Sequence, residues 1–185
     1  LRPDLRDTPR WWFYWYFRVH GAGGRTVSFE FTNGDPVGVR GPAISTDGGR
    51  TWSWLGSETA GKASFTYTFS KEADDTRFAY TIPYLEANLQ AFLKSLGADP
   101  HLKIDSLCRT RRGRDVEAIY LGRLDAKPDY RVLVTARHHA CEAMANYVLE
   151  GLVRAILQNK DRQWFHEHVE FLIVPFMDKD GVEQG

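Results

Sequence analysis

Arg131-Val132-Leu133-Val134-Thr135-Ala136-Arg137-His138-His139-Ala140-Cys141-Glu142 is an apolar run that ends in a chemically loaded turn. Its first part is short and nearly continuously apolar, the pattern of a strand buried on both faces of a parallel sheet. Such a strand has no structural need to end in an arginine, two histidines and an acid. Open α/β sheets bind ligands beyond the carboxyl ends of their strands. A histidine and a glutamate three apart on a tight turn can direct an imidazole nitrogen and a carboxylate at one cation, and that donor pair suits zinc. His139 and Glu142 are therefore candidate metal ligands. A catalytic zinc needs one more protein ligand and an open position for water. A plainer reading stands beside this one. His139 could cap or pack, and Glu142 could sit in the first turn of a helix, where an acid suits the positive end of the dipole.

Working toward the C-terminus, the spacing predicts a helix over roughly Glu142 to Leu157, with Ala143, Val148, Leu152 and Ile156 facing inward. A second apolar strand, Val169 to Pro175, follows. Strand, helix, strand in this order is a βαβ unit, with a parallel sheet and a right-handed crossover. Working back, Pro128-Asp129 introduces the first strand. Asp105 to Cys108 and Val116 to Leu121 form two strands around a turn containing Gly113, and Leu85 to Leu96 has helical spacing with Gly97 to close it.

Before Pro83 the pattern changes to short strands. Trp11 to Val19 is a dense aromatic run, Thr26 to Thr32 alternates with Val27, Phe29 and Phe31 on one face, and Ser64 to Phe69 and Arg77 to Ile82 alternate again. Asp47-Gly48-Gly49 before Thr51-Trp52-Ser53-Trp54 is a hairpin signature. Strands at this spacing predict a β-sandwich whose aromatics pack its core. The fold expected is thus α/β in class: an antiparallel β-sandwich over residues 1–84, then the first half of an α/β domain with a mixed sheet over 85–185.

Hydrophobic residues make up 43% and charged residues 26%, enough apolar material for a core. Lys+Arg and Asp+Glu are both 24, a balance that gives no support for a nucleic-acid or anionic-membrane partner. No apolar run approaches the roughly 18–20 residues of a membrane span. Cys108 and Cys141 make no disulfide framework; they suit a reducing compartment or merely give no argument for secretion. The chain begins Leu1-Arg2-Pro3-Asp4 and ends at Gly185 just after a loop-like segment, so it is expected to be a piece of a longer protein.

Other residues carry weaker signals. Arg137 would contact a substrate carboxylate or brace the loop; the residues leave both open. His138 reads as a packing or supporting neighbour of the ligand pair. Arg109, Arg111, Arg112 and Arg114 cluster at a hairpin turn, as a solvated turn or as a patch for acidic peptide tails. His166 and His168 flank Glu167 at a helix–strand junction. Cys141 reads as a small filler.

Several segments match one family in order. They are Trp15-Tyr16-Phe17-Arg18-Val19, Phe65-Thr66-Tyr67-Thr68-Phe69, Phe78-Ala79-Tyr80-Thr81-Ile82-Pro83-Tyr84, and Leu107-Cys108-Arg109-Thr110 with Gly113 after it. Then come Ala136-Arg137-His138-His139-Ala140-Cys141-Glu142 and Val174-Pro175-Phe176-Met177-Asp178-Lys179-Asp180-Gly181-Val182. From about Trp11 to Gly185 the chain resembles zinc carboxypeptidases of the carboxypeptidase A type, in their cytosolic carboxypeptidase-like branch. That branch places a β-sandwich before the catalytic domain. Its zinc loop normally runs Ala-Arg-x-His-Pro-Gly-Glu and its later segment Pro-Met-x-Asn-Pro-Asp-Gly-Val. Here Ala140-Cys141 stands for Pro-Gly and Asp178-Lys179 for Asn-Pro.

The resemblance implies a zinc-dependent, cytoplasmic hydrolase whose partner is a peptide or protein C-terminus, with acidic residues, glutamate above all, as the removed group. It implies His139 and Glu142 as zinc ligands and Arg137 as a candidate substrate contact. It also implies that no catalytic residue lies within 1–185. An Asn-Arg carboxylate clamp, a third ligand His and a general-base Glu are expected after Gly185. The alternative is a non-catalytic binding module with a degenerate peptidase domain.

Overall fold

Alternation of apolar and polar residues folds the first part of the chain into two antiparallel sheets. The computed structural model describes residues 1, 14–32, 34–59, 61–72 and 75–184. Trp11, Trp12 and Phe13 of the aromatic run lie outside these. Contacts divide the chain into two units, Leu1–Pro83 and Tyr84–Gly185.

The first unit contains β1 (Tyr16–Val19), β2 (Thr26–Glu30), β3 (Ala43–Ser45), β4 (Ser53–Trp54), β5 (Ser64–Thr68) and β6 (Thr76–Ala79). One sheet has the order β1-β6-β3-β4, and β2 pairs with β5 in the other. Both sheets send rings into one core. Phe78 is fully buried, with the rings of Phe29, Phe65, Tyr67 and Phe17 centred 5.2–5.4 Å from its own. Tilted and edge-on contacts of this kind suit the ring quadrupole. In the β3–β4 loop, Asp47 accepts the amides of Arg50 and Thr51 and the hydroxyls of Ser45 and Thr51. These bonds, the Thr51 amide foremost, hold its carboxyl far below the usual range.

The second unit begins with α1 (Glu86–Ser95), whose first turn is closed by the Leu85 amide donating to Asn88 Oδ1 at 2.9 Å. Next come β7 (Leu102–Arg109), β8 (Asp115–Gly122), β9 (Tyr130–Thr135), α2 (Met144–Gln158), α3 (Arg162–His168), β10 (Val169–Val174) and α4 (Lys179–Gln184). The mixed sheet has the order β7-β8-β10-β9. β9 and β10 are parallel, with Val134 opposite Ile173, and β8 runs antiparallel to both β7 and β10. The two apolar strands of the sequence thus share one sheet, but β9 is not buried on both faces as its apolar run predicts: it is the last strand of the sheet among the described residues, and Val132 and Leu133 are 37% and 67% exposed. Gly122 closes β8 at φ 93°, where a Cβ would stand 2.0 Å from the Val169 carbonyl, so glycine alone fits.

The helix face predicted for α2 needs correction. Ala143 and Ile156 are buried as expected, but Val148 is 74% exposed and Leu152 36%. The buried face of α2 is Asn146, Leu149, Val153, Ile156 and Leu157. Apolar residues lie on two sides of this helix, so periodicity alone admits two stripes. The one that packs against Ile119, Leu121, Phe171 and Ile173 is turned away from Val148. α3 was also not foreseen; it fills the stretch between α2 and β10.

A buried ion cluster ties three elements of this unit together. The Lys179 ammonium is 3% exposed and donates to both oxygens of Glu117, at 2.8 and 2.7 Å, and to Glu86. Gln90 donates to both carboxylates. Burial pushes the Glu86 carboxyl up, but the Lys179 ammonium and Gln90 outweigh it and hold it below its usual range. Removing one partner leaves buried charge unpaired. Lys179→Ala is expected to destabilise the unit by about 3 kcal/mol or more, read from urea unfolding. The triple variant Lys179→Met, Glu117→Gln, Glu86→Gln, which leaves no unpaired carboxylate, should recover most of that loss. A single-variant loss below about 1 kcal/mol would mean the cluster is effectively solvated.

A second prediction comes from His101 and His166, whose rings stack 3.9 Å apart. His166 Nε2 faces the Ile156 carbonyl at 3.0 Å. Burial, then the neighbouring His101, pushes the His166 pKa below its ordinary 6.5; the Ile156 carbonyl and Asp99 oppose this and Arg162 reinforces it. The folded state therefore binds fewer protons than the unfolded one in this window. Its contribution is complete above about pH 6.5 and is lost as pH falls toward the folded pKa. Urea midpoints measured between pH 7.5 and 5 should fall, and less steeply in His166→Gln. Equal slopes would remove this assignment.

Candidate metal centre

β9 ends at Thr135, but its pairing continues. Ala136 donates to the Val174 carbonyl, Met177 to Ala136 and Asp178 to Arg137. The loop to α2 therefore leaves the sheet from a fixed point at the carboxyl ends of β9 and β10. Arg137 then turns into the left-handed region at φ 56°, an uncommon position for a residue with a side chain. A turn follows in which Glu142 donates its amide to the His139 carbonyl at 3.1 Å. Ala140 and Cys141 stand at its centre, and neither has positive φ.

This turn brings the two predicted ligands together. His139 Nδ1 lies 2.9 Å from Glu142 Oε1, and the His139 amide donates to Oε2 at 3.2 Å. The carboxylate is acceptor only, so the ring proton sits on Nδ1 in this contact. Hydrogen bonds from His139, the ring first, hold the Glu142 carboxyl below its usual range. Both side chains are exposed to a large degree. Glu142 precedes α2 rather than lying in its first turn, and its carboxylate faces His139.

The pair fits a share of a zinc site. Two ligands of a tetrahedral zinc stand about 3.3 Å apart, and the nitrogen and oxygen here already converge to within a few tenths of that. A cation there would take the place of the Nδ1 proton. The set is two donors; among the described residues no group of three or more histidines, cysteines or acids is placed to hold a metal.

The remaining candidates separate clearly. Arg137 is 4% exposed, and its guanidinium donates to Tyr84 O at 2.9 Å, Ala140 O at 2.5 Å and Asn146 Oδ1 at 3.3 Å. That is the geometry of a brace. His138 turns back to the Thr135 hydroxyl at 2.8 Å. Cys141 is buried, and burial pushes its thiol up, as befits a filler. His166 and His168 do not share a ligand point: His168 pairs with Asp129 and His166 stacks on His101. Arg109 pairs with Asp115 and Arg114 with Asp180.

Sequence reasoning passed over Asn146. It is fully buried, accepts from Arg137 and donates to the Pro175 carbonyl at 3.0 Å. Its helical spacing with the apolar residues Leu149, Val153 and Ile156 was the available signal. It also passed over Asp178 as the cap of α4, where its carboxylate accepts the Gly181 amide at 3.0 Å. Asp and Asn serve equally at such a position.

Comparison with known proteins gives the chain its family. The family model described as zinc carboxypeptidase matches residues 89–185. Cytosolic carboxypeptidase 6 of Caenorhabditis elegans is 26% identical over 211 residues, covering all of this chain and 45% of that protein. Cytosolic carboxypeptidase 3 of Bos taurus is 29% identical over 131 residues, covering 66% of this chain and 13% of that protein. The crystal structure of a metallo-carboxypeptidase from Burkholderia cenocepacia aligns with a TM-score of 0.75 and 30% identity, over 93% of this chain and 48% of that one. The chain thus spans less than half the length of these relatives. Among its described residues no helix is long and apolar enough to cross a membrane. The family match takes in just over half the chain, including the whole β9–α2–β10 region and its ligand loop, and the chain accordingly belongs to the zinc carboxypeptidase family.

Proposed function

We propose that the whole protein is a zinc-dependent carboxypeptidase that hydrolyses the C-terminal bond of a peptide or protein, with His139 and Glu142 as two of the metal's protein ligands. The observation that carries this is the 2.9 Å approach of His139 Nδ1 to Glu142 Oε1 at the carboxyl edge of the sheet, in a chain of this family. Zinc, when bound, supplies a Lewis acid and brings the pKa of its water to about 7.

The chain's own residues do the holding. Glu142 is a carboxylate at neutral pH, and its bonds to His139 hold its carboxyl further below the usual range. The turn keeps both donors on one side. Pairing with residues 174–178 fixes where the loop leaves the sheet. A third ligand, a general base and a carboxylate clamp would come from residues beyond 1–185.

We further propose a preference for acidic C-terminal residues. The support is Arg111 and Arg112 in the turn between β7 and β8, since Arg109 and Arg114 in the same turn are matched by Asp115 and Asp180. β8 runs antiparallel to β10, so this turn lies at the same sheet edge as the ligand loop. A cytoplasmic location is proposed from the names of the relatives.

The test is a carboxypeptidase assay on the complete protein with zinc, using peptides ending in acidic, basic and apolar residues. Turnover fastest on the acidic peptides, and lost in both His139→Ala and Glu142→Ala, is the expected result. The 1–185 segment alone should be inactive, since two donors fall short of a catalytic zinc set. Zinc uptake by the complete protein without turnover would replace the enzyme reading with a binding module. Turnover that survives Glu142→Ala would remove this residue from the site.

A further inference from the structure

Arg137 sits two residues before His139, and its side chain points away from the open end of the loop. Its three acceptors are neutral oxygens from three separate places. Tyr84 lies ahead of α1, Ala140 is in the centre of the ligand turn, and Asn146 is in the first turn of α2. The guanidinium carbon also lies 5.4 Å from the centre of the buried Phe176 ring, within reach of a cation–π contact. Asn146 passes the connection on to the Pro175 carbonyl. A planar fork with several donors meets such a set; a lysine ammonium does not.

The backbone at this residue is strained. Left-handed φ in a residue with a Cβ costs about 1 kcal/mol or more and persists where the surroundings over-determine it. Here the surroundings are the Asp178 amide on the Arg137 carbonyl, at 2.8 Å, and the three side-chain acceptors. The kink turns the side chain inward and leaves His138 and His139 exposed.

We propose that Arg137 is a positioning residue. By gripping the Ala140 carbonyl inside the His139–Glu142 turn, it sets the direction in which the two metal donors point, and it does not touch substrate. This rests on the zinc reading above. A substrate carboxylate would have to reach a group that is 4% exposed and whose two terminal nitrogens already hold acceptors.

The two roles give different signatures in the complete protein. Loss of a supporting contact lowers zinc affinity by about 10-fold or more. Loss of a substrate contact raises KM and leaves zinc affinity alone. The experiment measures zinc dissociation by chelator competition, the visible spectrum of the cobalt-substituted protein, and kcat and KM at saturating zinc. It is run on the parent, Arg137→Ala, Arg137→Lys and Glu142→Ala. Weaker zinc binding and an altered cobalt spectrum in Arg137→Ala, with a smaller change in Arg137→Lys, are expected. Parent-like zinc binding and spectrum with a raised KM would overturn the proposal. Should Arg137→Ala fail to fold by circular dichroism, the same two outcomes in Arg137→Lys decide. A parent that takes up no zinc, or zinc retained in Glu142→Ala, overturns the zinc reading itself. Those results come from proteins with Arg137 intact, so the two failures remain separate.

Discussion

The parallel pairing of β9 with β10 extends past the ends of both strands, and the ligand loop depends on that extension. Ala136 donates to Val174, Met177 to Ala136 and Asp178 to Arg137. A loop leaving a sheet is normally free to swing from its last paired residue. Here the last paired residue is Arg137, two positions from His139. The segment after β10 is fixed by the same bonds, which places Phe176 in the core and Asp178 at the start of α4. One set of backbone hydrogen bonds thus positions the ligand turn, its buried arginine and the acid that caps the next helix.

Two buried cations flank this junction, and they are neutralised differently. Arg137 is met by carbonyl and amide oxygens, Lys179 by the carboxylates of Glu86 and Glu117. Both stand close to the ring of Phe176, at 5.4 and 5.3 Å. Burying a charge costs several kcal/mol unless its donors are met. A delocalised guanidinium is the more weakly hydrated of the two and tolerates neutral acceptors, whereas an ammonium needs opposite charge. Lys179 occupies the place of a proline in the pattern the segment resembles. Its arrival makes sense only beside Glu117 and Glu86, which lie on other elements.

β10 was legible because a strand buried within the sheet leaves a continuous apolar run; β9 carries the same kind of run but is the last strand of the sheet among the described residues, with Leu133 67% exposed, so its apolarity did not report burial. The ligand pair was legible because a histidine and an acid at that strand end have no packing purpose. The face of α2 was not. Val148 and Leu152 are as apolar as Leu149 and Val153, so hydrophobicity could not rank the two stripes. Asn146 was the distinguishing residue, since its amide is needed inside, between Arg137 and Pro175. The Lys179 cluster joins residues 86, 117 and 179, and separations of that size leave no local pattern. Arg137 was half legible: its charge drew notice, but its direction follows from a left-handed backbone that no residue type announced.

The replacement of Pro-Gly by Ala140-Cys141 bears on that direction. Pro-Gly suits a type II turn, whose third residue needs positive φ. Ala140 and Cys141 both lie outside that region, although the 139–142 hydrogen bond is kept. Between a type II turn and a type I turn, the dihedrals on either side of the central peptide differ by about 150–170°. A turn without positive φ at its third residue presents its central carbonyl to the opposite side from a type II turn. The carbonyl in question belongs to Ala140, the one Arg137 grips at 2.5 Å. In this chain the Ala140 carbonyl is presented to the buried guanidinium, which supplies the donor that such a carbonyl requires away from water. The turn's stiffness then comes from a side chain anchored in the core and no longer from the local preferences of proline and glycine.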